Sequence, residues 1–109
     1  MFYPKIIKDF VIKALMPKGM VPEGLVELFR YSKLYGPIKF NFSMGQDGLW
    51  IAESENFRQG VIITSAKNEE ALDGKIKDAI LTAFDIPSSY AKEARIVREG
   101  EKKREYAVA

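Results

Sequence analysis

The side chains with most scope for chemistry are carboxylates. Asp47, Glu53 and Glu55 lie close together in the chain, and Asp73 and Asp78 follow on a later segment. The sequence around them has no histidine and no cysteine. That removes the usual nucleophile–base pairs, all thiol chemistry and the common zinc ligand sets. Oxygen ligands alone can hold a hard cation such as magnesium. Glu53 and Glu55 are two residues apart, so on a strand they share a face and could converge on such an ion with Asp47. The opposing reading makes them the solvent side of a strand, and it is preferred: no metal, no other cofactor and no catalytic residue is expected. Lys75, Lys77, Ser65 and Ser88 have no partner at a spacing that would make any of them reactive.

Aromatic side chains offer a second kind of site. Trp50 with Phe40, Phe42, Phe57 and Tyr90 could stack the bases of a single-stranded nucleic acid. In "IKFNFSM", however, Phe40 and Phe42 alternate in step with Ile38 and Met44, which marks a core face. Strict alternation puts Leu49 and Ile51 on one side of the next strand and Trp50 and Ala52 on the other. If both sides are covered, a helix covers one, and an N-terminal hairpin or a partner subunit covers the other. This points to association rather than catalysis, and a homo-oligomer is expected.

The chain that must position these residues has 109 of them, enough for one domain with a real core. Hydrophobic residues make up 47% and charged residues 29%, a globular balance. Sparse Asn and Gln beside abundant Lys, Glu and Ile lean toward a thermophile. No apolar run approaches the roughly 20 residues that span a bilayer. The start, "MFYPKIIKDF", lacks the pattern of a signal peptide. A cytoplasmic protein with no membrane contact is the expectation. Residues 1–40 carry seven Lys/Arg and three Asp/Glu, a net of +4, and residues 41–109 carry ten and twelve, a net of −2. The basic front fits a nucleic-acid footprint or ordinary surface scatter. The "REGEKKRE" stretch mixes both signs, unlike a nucleic-acid-binding run.

Two elements are expected in residues 1–36, an N-terminal helical hairpin. "KIIKDFVIKAL" has amphipathic spacing, and "MPKGM" breaks it with Pro and Gly. "VPEGLVELFRYSKLYG" resumes, with Pro22 suited to the first helical position, Gly36 to the C-terminal cap, and Leu25, Val26, Phe29 and Leu34 as its apolar stripe. The same outline fits a helix-turn-helix whose second helix would carry Arg30, Tyr31 and Lys33. Residues 37–109 read as sheet plus helix. "IKFNFSM" and "LWIAESE" form a hairpin around "GQDG", and "GVIITS" is expected as a central, well-covered strand. Asn68 caps a helix with Glu69 and Glu70 in its first turn and Leu72, Ile76, Ala79, Ile80 and Ala83 on its apolar face. Pro87 ends it, "ARIVRE" is a fourth strand, and "KKREYAVA" is a return strand or a charged tail. The fold class is therefore α+β: a three- to four-stranded antiparallel sheet with one long helix on it, preceded by the helical hairpin.

"QDGLWIAESENFRQGVIITSAKNEEAL" resembles the core of the HicB-like antitoxin family, over roughly residues 37–85. Asp47-Gly48 stands at the family's turn, Leu49 to Ala52 at its second strand, Gly60 before its third, and Glu69-Glu70-Ala71 at the start of its helix. Two features depart from the pattern: "ENFRQG" has no proline, and Ser65 stands where a second Gly is common. The resemblance implies a partly RNase H-like core, three antiparallel strands with a helix across them. It also implies a non-enzymatic module that binds and masks a small basic RNA-cleaving toxin of the HicA type. The chain after the long helix is short for an appended DNA-binding domain, so an orphan homologue without a toxin fits equally.

On this reading the partner would meet the edge strands and the acidic helix face, with Trp50, Glu53, Glu55, Lys75 and Asp78 as contacts. The alternative is a small DNA-binding regulator whose Arg30 and Lys33 contact phosphates. A third reading, a magnesium-dependent hydrolase, would use Asp47, Glu53 and Glu55.

Overall fold

The computed structural model describes residues 22–109. The helix expected over residues 5–15, and with it half of the N-terminal hairpin, lies outside the described residues.

The second helix of that hairpin is α1, Glu23–Tyr35. It opens on Pro22, whose carbonyl accepts from the Leu25 N–H at 3.0 Å. It closes on Gly36, at φ 77°, whose N–H donates to the Ser32 carbonyl. Its buried side chains are Leu25, Leu28 and Tyr31, so of the expected stripe only Leu25 is buried. Val26 and Phe29 are partly exposed, and Leu34 is 66% exposed. The sequence pattern offers two apolar faces to α1, and the aromatic cluster beneath it selects one. Tyr31 packs against Phe57 and Phe84, with ring centroids 5.4 Å and 5.5 Å away. Its hydroxyl reaches the surface and accepts the Arg58 N–H at 3.0 Å. Tyr31 is thus a core residue and not available to DNA.

Among the described residues, five strands form one antiparallel sheet in the order β3-β2-β1-β5-β4. They are β1 (Ile38–Met44), β2 (Trp50–Ser54), β3 (Ile63–Ala66), β4 (Ile96–Glu99) and β5 (Glu105–Val108). The long helix α2 (Glu69–Ala83) follows β3. A 3-10 turn at Ser88–Tyr90 and the short α3 (Ala91–Ala94) then lead into β4. Two corrections to the expected sheet follow, in its strand number and in the place of β3. The described residues hold five strands rather than three or four, because of the two readings of "KKREYAVA" the return strand is the one formed. That strand, β5, sits between β1 and β4 and pairs with both. The "GVIITS" segment is the edge of the sheet rather than its centre.

Alternation sorts the side chains between the two faces. Ile38, Phe40, Phe42, Ala52, Ala66 and Tyr106 point to the helices and are buried. Lys39, Asn41, Ser43, Glu53, Ser65 and Glu99 point away and are exposed. Met44 continues the inward series but projects past the end of the core and is exposed. The core is one cluster that includes Leu25, Leu28 and Tyr31 of α1 beside Leu72, Ile76 and Ile80 of α2. Burying such side chains stabilises by roughly 1.5–3 kcal/mol each, which is why α1 is bound to the sheet rather than hung from it.

Local chemistry sets the ends of α2. The Asn68 side chain accepts the Ala71 N–H at 2.7 Å, one of the donors that a helix start leaves unpaired. The helix stops at Ala83, ahead of Pro87, because Asp85 turns to φ 55° and the Ile86 N–H folds back to the Leu81 carbonyl at 2.8 Å. That turn buries Ile86 and lets α1 cross close by. At Gly24 a Cβ would run into the Phe84 carbonyl oxygen, so the crossing needs glycine.

Candidate functional site

The helices α1 and α2 share one core on one side of the sheet, and the other side is left without a helix among the described residues. That open face is built from the outward positions of all five strands. Lys39, Asn41 and Ser43 come from β1, and Ile51 and Glu53 from β2. Ile63 and Ser65 come from β3, Val97 and Glu99 from β4, and Glu105 and Ala107 from β5. Glu55 joins them just past β2, where its N–H donates to the Lys39 carbonyl at 2.8 Å.

Charge on this face is lopsided. Glu53, Glu55, Glu99 and Glu105 stand there against Lys39. None of the four carboxylates lies within ion-pair distance of a cation among the described residues. Glu99 and Glu105 are direct partners across the β4–β5 pair, an arrangement that like charges disfavour. Where β1 outruns β5, the face dips into a hollow of about 340 Å³ whose rim includes Lys39, Asn41, Glu55, Arg104 and Glu105. The hollow forms because β5 meets β1 only at Ile38 and Lys39, with one further bond from the Phe40 N–H to the Arg104 carbonyl. Beyond it, Arg104 turns to the helix side and lies over the Phe42 ring, 4.9 Å from its centroid. Arg98 approaches the same ring at 5.8 Å. The Arg98 and Arg104 guanidinium groups are therefore held over Phe42, while Lys39 and Lys102 also line the hollow.

The residues expected to meet a partner divide into three places. Glu53 and Glu55 are on the open face. Lys75 and Asp78 are on α2, where with Ala79 and Thr82 they flank a groove of about 480 Å³ against Val61 and Ile63. Trp50 points to the helix side and packs half-buried on the core. Arg30 and Lys33 are exposed on the outer side of α1, away from all of these.

The proposed metal ligands do not converge. Asp47 sits in the β1–β2 turn, where its Oδ1 accepts the Leu49 N–H at 3.1 Å, at the opposite end of the hairpin from Glu55. Among the described residues no group of three acidic side chains could hold a metal ion. The aromatic platform is absent as well. Phe40, Phe42 and Tyr90 are buried, and Phe57 packs on the core.

One further ionisable group is perturbed. The Tyr106 hydroxyl is held protonated far above its ordinary range, first by burial and then by the Asp73 carboxylate that accepts its hydrogen bond. Such a shift suits a structural donor, not a nucleophile. Among the described residues no helix is long and apolar enough to cross a membrane.

Sequence reasoning found Glu53 and Glu55 but not Glu99, Glu105 or Lys39. Their relation to the first two exists only because β5 occupies the slot beside β1. The usable signal was the alternation in "REYAV", which places Glu105 opposite in phase to Tyr106. No protein-family model matches this chain, and searches of curated proteins and of solved structures return no match either.

Proposed function

We propose that this chain is a non-enzymatic protein-binding module of the HicB-like type, and that its open sheet face receives a small basic partner, an RNA-cleaving toxin. One observation carries the reading: four carboxylates share that face with none within ion-pair distance of a cation among the described residues, and two of them are directly opposed as Glu99 and Glu105. A basic partner would relieve this repulsion, and charge complementarity of that kind speeds and orients association. Ile51 and Val97 on the same face supply the apolar contact that a charged rim alone lacks.

The test is a nuclease-treated pull-down of the tagged chain from its native host, with co-purifying polypeptides identified and the purified pair assayed for RNA cleavage. A stoichiometric small basic ribonuclease, inactive in the complex and lost when Glu53 and Glu105 are both changed to Lys, is the expected result. Its absence, or its retention by that double variant, would reject the reading.

A second reading retains one specific observation. Arg30 and Lys33 stand together on the exposed side of α1, whose other side is anchored in the core, so a nucleic-acid backbone could reach them. DNA binding whose affinity falls steeply with salt, and which Arg30→Ala weakens, would favour it.

A further inference from the structure

We propose that the β4–β5 hairpin is a hinged strap. It opens from β1 as a unit while β1, β2, β3 and α2 stay folded, and its opening takes the open sheet face apart. The strap stands on its own observations, and only its link to ligand binding rests on the reading of that face given above.

Strand pairing is uneven across the sheet. β1 and β2 pair from Phe40 and Ser54 through to Met44 and Trp50, and β2 pairs with β3 from Trp50 to Glu53. The seam between β1 and β5 is shorter. Ile38 faces Tyr106, Lys39 faces Glu105, and the Phe40 N–H reaches the Arg104 carbonyl at 2.9 Å. Past that bond the hollow of about 340 Å³ parts the two strands. Inside the hairpin the pairing runs from Ile96 and Val108 to Glu99 and Glu105, and the Ala109 N–H closes its base on the Arg95 carbonyl at 2.8 Å. The hairpin is thus joined to itself along its length and to β1 over only part of it.

Packing follows the same division. Tyr106 is the buried anchor of the hairpin, its ring edge-on to Phe40 at 5.6 Å and its hydroxyl on Asp73 of α2 at 2.9 Å. Ile96, Ala107 and Val108 are half-buried beside Leu28 and Ile80, and Val97 is exposed. Arg98 and Arg104 add contacts over the Phe42 ring, which are weak where water still reaches the cation. Within the hairpin Glu99 opposes Glu105, a like-charge pair that disfavours the closed strands. Segments with few buried apolar contacts and exposed backbone bonds open ahead of the rest of a fold. Little beyond Tyr106 prevents that here.

The hinge is Arg95. It joins α3 to β4 at φ 57°, in the left-handed region, and Ala94 just before it is fully buried. Rotation at such an element-terminal residue swings one side and leaves the other in place. The open face is then divided. Glu53 and Glu55 belong to the part that stays, with Lys39. Glu99 and Glu105 belong to the strap, with Lys102 and Lys103 at its tip. A basic ligand that touches carboxylates of both parts binds the closed form alone, and by linkage it holds the strap shut.

The experiment is residue-resolved amide exchange on the full chain. It is read at the Phe40 and Tyr106 amides on the β1–β5 seam and at the Glu53 amide between β1 and β2. In the wild type the two seam amides should exchange together, roughly tenfold or more ahead of Glu53 once intrinsic rates are divided out. Ser54→Ala removes the acceptor of the Ile62 N–H, between β2 and β3. It should speed Glu53 roughly fivefold and leave the seam amides unchanged. Tyr106→Phe removes an anchor that is lost on opening and on unfolding alike, so it should speed all three amides roughly tenfold. Decalysine, as the basic probe, should slow the seam amides in step with its occupancy, and high salt should abolish the slowing. Seam amides that keep pace with Glu53, or that Ser54→Ala speeds equally, would overturn the strap. Seam amides that bound decalysine leaves unchanged would overturn its link to the face. Decalysine that fails to bind would overturn the reading of the face and the link with it, while the strap is decided on the free chain alone.

Discussion

The Tyr106 hydroxyl donates to Asp73 Oδ1 at 2.9 Å, across the core from β5 to α2. The other oxygen of Asp73 meets Lys77 Nζ at 3.2 Å, one turn along the helix. Asp73 thereby holds the last strand of the chain to the helix that precedes it by more than twenty residues. Tyr106→Phe leaves the ring's packing against Phe40 but removes the donor. A loss of about 1–2 kcal/mol in urea denaturation is expected, since the acceptor is charged and half-buried.

The same pair sets an alkaline limit. Burial, then Asp73, raises the folded-state pKa of Tyr106 above its ordinary value of 10.0. The protonated hydroxyl therefore stabilises the fold fully below pH 10 and progressively less above it, because the unfolded chain then releases a proton that the folded chain retains. Wild-type stability should fall above pH 10 more steeply than that of Tyr106→Phe. Parallel curves from pH 9 to pH 11.5 would exclude Tyr106 as the cause.

Asn56 closes the start of β1 as a backbone strand would. Its Oδ1 accepts the Lys39 N–H at 2.8 Å and its Nδ2 donates to the Pro37 carbonyl at 3.1 Å. Asn56→Ala removes both bonds and should cost about 1–2 kcal/mol, less than a buried pair would because water can replace the lost partners. Asn56→Asp keeps the acceptor but leaves the Pro37 carbonyl without its donor, so an intermediate loss is expected. Chemical denaturation of the three proteins side by side gives the order.

One substitution should act with opposite sign in the two longer helices. Gly24→Ala places a methyl group against the Phe84 carbonyl and the Ile86 side chain, where α1 crosses the end of α2. A loss of roughly 1–3 kcal/mol is expected from this overpacking. Gly74, on the outer side of α2, has nothing within 4 Å of such a methyl group. Gly74→Ala should gain about 0.5–1 kcal/mol from helix propensity alone. Thermal unfolding of the two variants should move in opposite directions from wild type.

Those two glycines show where sequence reading works and where it stops. Period-two alternation around Phe40 and Phe42 and the cap at Asn68 are local properties, and both elements form where they are expected, although Ala83 of the helix is exposed and Leu81 is buried instead. The buried side of α1 was ambiguous, because Val26, Phe29 and Leu34 are as apolar as Leu25 and Leu28 and only the position of Phe57 and Phe84 decides between them. The place of β3 at the edge and of β5 beside β1 depends on long-range pairing, which no window of the sequence contains. The candidate site suffered most. Glu53 and Glu55 were visible as a pair, but the face they share with Glu99 and Glu105 is made by that pairing.

That face leads to a prediction in which stability and binding part company. Glu105 opposes Glu99 on β4 and also Lys39 on β1. Glu105→Lys turns the first contact attractive and the second repulsive, whereas Glu99→Lys turns the first attractive and leaves the Lys39 contact alone. Glu99→Lys should therefore stabilise the fold, by about 0.3 kcal/mol given how far solvent screens such pairs, and Glu105→Lys should be close to neutral. Both variants remove negative charge from the open face, so both should weaken a basic partner, and the weakening should shrink as salt is raised. Titration calorimetry beside urea denaturation separates the two effects. If Glu99→Lys instead weakens binding only as far as it unfolds the chain, the carboxylates on this face act through the fold and not through the partner.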